Sequence, residues 1–279
     1  MITTISADGT EVRALDSGQG PTILVVHPGM DDGSSWQKVT AVLAREFRVL
    51  TVLRRQYRRD ITKSAPASIA DEVADIKALV ESVGKPMLVV GHSSGAVVAL
   101  EALAALPTSF IGGVLYEPPL RIDGPVGGAA LLSAQAAIAA GKPGKAMQIF
   151  TRDMVGLPEW QAGLVRMFVG ASPKMRRLAP RQMDDNTALE QLGLRLDLYE
   201  QIQAPVLLVG GNKSPAHLRR RLDVLARTLP RAERHVLRGQ GHSANRRAAE
   251  PLARVIAEFH AATIQTGPGS GASSRGTTS

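Results

Sequence analysis

Residues 87–100 read MLVVGHSSGAVVAL. Four apolar side chains run without a polar break into Gly91-His92-Ser93-Ser94-Gly95, and a helix-forming run of Ala, Val and Leu follows at once. An unbroken apolar run suits a strand buried on both faces, as in a parallel sheet covered by helices. Between such a strand and a helix, G-x-S-x-G describes a tight turn that lifts the serine hydroxyl above the sheet, with glycines where backbone approaches backbone too closely for a Cβ. The five-residue pattern alone recurs by chance. Its setting makes Ser93 the candidate nucleophile.

Outside this stretch the same alternation recurs. Strands are expected at 2–5 and 11–15, joined through an Asp8-Gly9 turn, and then at 22–26, 49–53, 87–90, 113–116, 205–209 and 234–237. Helices are expected at 35–45, 70–83, 94–106, 218–229 and 251–261. Strand-helix-strand order predicts an α/β fold with a mostly parallel sheet and flanking helices. Residues 120–203 interrupt it: no convincing strand occurs there, and helical stretches are expected at 129–140, 146–155 and 160–169. Bounded by Pro118-Pro119 and Pro205, this segment reads as a helical cap or lid inserted into a core of 1–119 and 204–265. The tail 266–279, TGPGSGASSRGTTS, has no apolar period and is expected to be disordered.

Of 279 residues, 44% are apolar and 21% charged, which excludes a disordered or low-complexity chain for the bulk of the sequence. Two Trp, three Tyr and five Phe leave Leu, Val, Ile and Ala to fill the core. With no cysteine, disulfides, thiolate metal sites and cysteine nucleophiles are excluded, so covalent chemistry falls to Ser, Thr, Lys or a carboxylate. The first residues carry neither a basic nor an apolar leader segment, and no apolar run approaches the ~18 residues of a membrane span. A cytoplasmic protein with no membrane partner is expected. The net charge of +8 is gathered in short clusters at Arg54, Arg55, Arg58 and Arg59, at Arg219, Arg220 and Arg221, and at Arg246 and Arg247. No nucleic-acid-binding motif accompanies them, so they read as solvated surface, with no nucleic-acid partner.

A serine hydroxyl needs a base, and histidine suits that task near neutral pH. Of six histidines, His242 lies in Gly239-Gln240-Gly241-His242-Ser243, a glycine-rich loop after the last expected strand, from which a side chain can reach across the strand ends. His27 also follows a strand, and His92 sits inside the turn itself. His217, His235 and His260 read as surface positions. His242 is therefore the candidate base.

Over residues 1–262 the chain resembles the α/β-hydrolase superfamily: an opening hairpin, His27-Pro28-Gly29 with Trp36 nine residues on, GHSSG, a helical insertion and a late GQGH. The resemblance implies an oxyanion hole made by the backbone N–H groups of Ser94 and Gly29, with Met30 as the neighbour that shares the role. Pro28 stands where the family usually has glycine. The family also usually carries its acid a few residues after the strand that here reads PVLLV, but this chain continues GGNKSP, with Ser214 at the expected place. A branch of the family supplies the acid from the end of the preceding strand. Here that strand ends in Tyr116-Glu117-Pro118-Pro119, which makes Glu117 the candidate to orient His242; Asp184, Asp185 and Asp197 are alternatives. At 54–59, where relatives carry an Asp-Arg turn, Arg54-Arg55-Gln56-Tyr57-Arg58-Arg59 reads as an exposed loop or as a receptor for an anionic substrate group.

The resulting expectation is a serine hydrolase that needs neither metal nor other cofactor and cleaves an ester, thioester or lactone of a small apolar substrate through an acyl-enzyme, as a monomer or homodimer. Met30, Phe150, Met154 and Trp160 are the expected pocket residues. The same constellation also serves carbon–carbon hydrolysis, cyclisation or perhydrolysis, and a degenerate hydrolase retained as a ligand-binding protein is the alternative outside enzymes.

Overall fold

The computed structural model describes residues 1–58, 60–61, 66–122 and 124–265. Eight strands form one sheet: β1 Ile2–Ile5, β2 Glu11–Ser17, β3 Thr22–Val26, β4 Arg48–Val52, β5 Met87–His92, β6 Phe110–Tyr116, β7 Val206–Gly211 and β8 Ala232–Leu237. Their spatial order is β1-β2-β4-β3-β5-β6-β7-β8, with β2 antiparallel to β1 and to β4 and all later pairs parallel. The mostly parallel α/β sheet is as the sequence implies. Side chains alternate between its faces. Leu24 and Val26 join one apolar cluster, while Ile23 and Val25 join the other.

Helices α1 Gln37–Leu43, α2 Ile69–Val83 and α3 Ser94–Ala105 lie in the first half, and α9 Ala216–Thr228, α10 Ala244–Arg247 and α11 Ala249–Gln265 in the second. The first cluster packs α2 and α3 against the sheet, and the second packs Trp36, α1 and α11. Between β6 and β7 run α4 Gly128–Ala139, α5 Pro143–Ile149, a π-helical turn Phe150–Met154, α6 Glu159–Ala171, α7 Pro173–Leu192 and α8 Leu196–Tyr199. Leu131, Ala134, Met147, Ile149, Val169, Ala179 and Met183 give these helices an apolar cluster of their own. The 20-residue α7 is absent from the sequence reading. Pro180 stands inside it, and the buried Leu178, Ala179, Met183, Ala188 and Leu189 are interleaved with buried Gln182, Asp185 and Asn186, so the apolar stripe that would announce a helix is broken. The expected disorder at 266–279 falls outside the described residues.

The chain moves from β3 to β4 on one side, then crosses to β5 on the other side of β3. Such a reversal opens a crevice at the C-terminal strand ends, where open α/β sheets bind ligands. The segments following β3, β5 and β6 begin at His27, Ser93 and Glu117, and pairing of Val26 with Gly91 and of His92 with Tyr116 brings them level. Among the described residues, no helix is long and apolar enough to cross a membrane.

Candidate functional site

Ser93 sits at φ 53°, ψ −128°, between β5 and α3. Sterics explain its flanking glycines: a Cβ on Gly95 would lie 2.3 Å from the His27 carbonyl oxygen, and one on Gly91 2.5 Å from the Ala96 Cα. The Ser93 N–H donates to the Tyr116 carbonyl at 2.9 Å, tying the turn to β6. Met30, Ser93 and Glu117 are the non-glycine residues with positive φ among those described. Strain of this kind persists only where the surroundings impose it, and here Met30 and Ser93 line one cavity while Glu117 contacts His242 behind its wall.

Glu117 is fully buried. Its Oε1 accepts the Gly211 N–H at 2.8 Å, and its Oε2 lies 2.6 Å from His242 Nδ1. A carboxylate accepts, so Nδ1 carries the ring proton and Nε2 is left with its lone pair. The loop that carries His242 is held at several points. The Tyr116 hydroxyl donates to the Gly241 carbonyl and accepts the Ala244 N–H, and Lys213 N–H donates to the Gln240 carbonyl at 2.8 Å. His92 adds another tie. Trp36 Nε1–H donates to His92 Nδ1 at 3.3 Å, so its proton sits on Nε2, which donates to the His242 carbonyl at 3.0 Å. Burial keeps His92 neutral by pushing its pKa well below the usual histidine value.

His27 is buried, with Nδ1 donating to the Pro28 carbonyl and Nε2 accepting the Arg54 N–H, so neither nitrogen is available as a base. His260 is buried against Phe47, which corrects its reading as a surface residue. His217 is half-buried and lines a chamber described below.

Ser93 and His242 together line a cavity of about 200 Å³ that also exposes Pro28, Gly29, Met30, Phe150 and Gln182. A second chamber of about 50 Å³, again bordered by Ser93 and His242, continues toward Phe150, Met154, Val155, Leu189 and Leu218. The structure thus brings Met30, Phe150 and Met154 to the crevice but not Trp160, which is 66% exposed. Trp160 lies on α6, whose buried residues are Ala162 and Val169. Gly29 is crowded, since a Cβ there would lie 2.1 Å from Gln182 Oε1. Gln182 escaped the sequence reading because its helix did. The Ser94 N–H opens α3, where helix N–H groups have no acceptor within the helix.

The arginines of 54–58 are neither an exposed loop nor a substrate receptor. Arg54, Arg55 and Arg58 are buried, Arg54 to 2% exposure; Arg59 is outside the described residues. Arg54 donates to both oxygens of Glu72 at 3.0 and 2.6 Å, to Asp185 at 2.8 Å, to Ser94 Oγ at 2.8 Å and to the His27 carbonyl at 3.3 Å. Tyr57 Oη stands 2.7 Å from Asp185 and 3.1 Å from Gln182. Arg55 pairs with Asp75 and Asp8. One guanidinium therefore joins the loops after β3 and β5 to α2 and α7. The same pairing removes Asp185 as a triad alternative, while Asp184 is half-buried elsewhere on α7 and Asp197 is exposed on α8. After β7, where the family usually carries its acid, the Ser214 hydroxyl is buried with no hydrogen-bond partner among the described residues. Among the described residues, no group of three His, Cys, Asp or Glu is placed to hold a metal ion.

Residues 23–256 match the alpha/beta hydrolase family. The chain is 30% identical over 120 residues to the uncharacterized hydrolase YraK of Bacillus subtilis strain 168, a stretch spanning 42% of this chain and 44% of that protein. It superposes on an alpha/beta hydrolase from Sphaerobacter thermophilus DSM 20745 with a TM-score of 0.80 and 28% identity, over 93% of this chain and all of that one. A thermophilic esterase from Thermogutta terrifontis shares the fold, with a TM-score of 0.71 and 19% identity over 94% of this chain and 98% of its own. The chain belongs to the alpha/beta hydrolase family.

Proposed function

We propose that the chain is a cofactor-independent serine hydrolase that cleaves a small ester, thioester or lactone through an acyl-enzyme. The observation that carries this reading is the 2.6 Å contact between His242 Nδ1 and the buried Glu117, on the rim of the cavity that holds Ser93. It leaves His242 Nε2 as the acceptor and fixes the ring, the two properties a general base for serine requires.

Ser93 Oγ attacks the carbonyl carbon as its proton passes to His242 Nε2, forming the new C–O bond and a tetrahedral oxyanion. The N–H groups of Gly29 and Ser94 stabilise that charge without needing any particular side chain. The oxyanion collapses, the bond to the leaving group breaks, and His242 returns the proton to it. Water then repeats the sequence, with its proton going to His242 and the released Ser93 Oγ taking it back. Glu117 keeps its negative charge throughout, beside the imidazolium. The helices of 120–203 act as a cap, with Phe150, Met154 and Val155 facing the apolar part of the substrate.

A fluorophosphonate probe tests the reading. Rapid labelling of Ser93, lost in Ser93→Ala and slowed in His242→Ala, is expected. A native, folded protein that takes up no label would support the ligand-binding alternative instead.

A further inference from the structure

Among the described residues, the permanently charged side chains that line the two chambers beside Ser93 are arginines. No Asp or Glu lines either chamber among the described residues, since Glu117 is sealed behind His242. Among the described residues, the permanently charged one lining the 200 Å³ chamber is Arg246. It lies four residues beyond His242, on α10, and is exposed. No acidic partner within ion-pair distance is found for it among the described residues, unlike the buried arginines of 54–58. In the second chamber the charged lining residue is again an arginine, Arg221, whose Nε donates to the Leu120 carbonyl at 2.7 Å. Arg221 and Arg246 therefore depart from the reading of their clusters as mere solvated surface.

A guanidinium at the rim of a cavity without carboxylates attracts an anion, and its planar fork matches a carboxylate in particular. The Ser243 hydroxyl, next to His242 on the same rim, adds a second donor. The same chamber has apolar lining at Met30, Phe150 and Val155. From this juxtaposition we infer that the site selects esters that carry a free carboxylate close to the scissile carbonyl, with Arg246 as the residue that reads it. The inference rests on the hydrolase reading for the reaction, but the recognition itself is a matter of binding and is measurable without turnover.

Two measurements separate them. In the first, kcat/KM is compared for p-nitrophenyl butyrate, for the mono-p-nitrophenyl ester of glutaric acid and for the butyryl ester of 4-hydroxybenzoate, which place the carboxylate nowhere, on the acyl side and on the alcohol side. One of the two anionic esters is expected to lead the neutral one at low ionic strength, mainly through KM. Arg246→Gln should reduce that lead by roughly fivefold, the scale of one partly screened ion pair, and added salt should erode it. Arg247→Gln, on the neighbouring exposed arginine outside the lining, should leave it intact. A neutral ester preferred over both anionic ones, or a preference unchanged in Arg246→Gln, overturns the inference.

In the second, Ser93→Ala protein is titrated with monomethyl and dimethyl glutarate. Tighter binding of the monoester, abolished by Arg246→Gln, is expected. Equal affinities would overturn carboxylate selection even if esters are hydrolysed. Selective binding without any turnover in the parent protein would instead overturn the hydrolase reading and leave this inference standing.

Discussion

Glu117→Gln removes a charge and one acceptor while keeping the side chain's size. In the native protein the two carboxylate oxygens meet two donors, Gly211 N–H at 2.8 Å and His242 Nδ1–H at 2.6 Å. Glutamine has one oxygen for both. If that oxygen stays with Gly211, the amide NH2 faces Nδ1, which must then accept. The ring proton moves to Nε2, and His242 can no longer take a proton from Ser93. If the oxygen turns to His242 instead, the buried Gly211 N–H faces another donor, at a cost of roughly 1–3 kcal/mol. The first arrangement is therefore favoured, with the imidazole in the wrong tautomer. The expected loss in kcat is on the order of ten-thousand-fold by analogy with other triads, or about 5.4 kcal/mol at 1.36 kcal/mol per decade. Steady-state hydrolysis of p-nitrophenyl butyrate reads it, with circular dichroism and thermal unfolding to show that the fold persists. A folded variant whose kcat falls less than tenfold would refute the role of Glu117.

Three further outcomes are expected. Gly95→Ala forces a Cβ to within 2.4 Å of the carbonyl oxygens of Val26 and His27, so urea unfolding should show a loss at or above the roughly 1–3 kcal/mol typical of overpacking; a wild-type midpoint would count against the close approach of β3 and α3. Arg54→Met leaves Glu72 and Asp185 buried without their cation, a change expected to cost about 3–5 kcal/mol. Adding Glu72→Gln and Asp185→Asn should recover part of it, and no recovery would deny the ion-pair account. Burial lowers the pKa of His27 and of His92 below the ordinary 6.5. As the pH falls through about 6.5, the unfolded chain gains protons that the native one does not, so their contribution is complete above that pH and is lost on acidification, at up to about 1.4 kcal/mol per pH unit for each histidine. Unfolding free energies measured between pH 7.5 and 5 that stay flat in protein lacking one of the two histidines as well as in the parent would remove that assignment.

The sheet and the line of Ser93, Glu117 and His242 along the chain could be read from residues because each lies in a locally patterned segment: an apolar run, two glycines at a crowded turn, a carboxylate stopped by two prolines, a glycine-rich loop. Such signals depend on neighbours close in sequence, where backbone sterics act. Helix α7 gave a weaker signal, since Gln182, Asp185 and Asn186 share its buried face with Leu178, Met183 and Leu189 and look like solvated residues until their partners are known. Trp160 erred in the opposite direction: a large apolar side chain promises burial, yet nothing local shows that its face of α6 points outward.

Sequence alone determined that a serine hydroxyl would stand on a parallel sheet with an imidazole and a carboxylate following it, because strand, turn and loop chemistry are written over spans of a few residues. Only the tertiary structure decided which arginines are structural and which border the cavity. Arg54 meets Glu72 from 18 positions away and Asp185 from 131, whereas Arg246 finds no such acid among the described residues. Charge neutralisation depends on distance through space, and a guanidinium is identical in the chain whether a carboxylate folds onto it or leaves it facing a substrate.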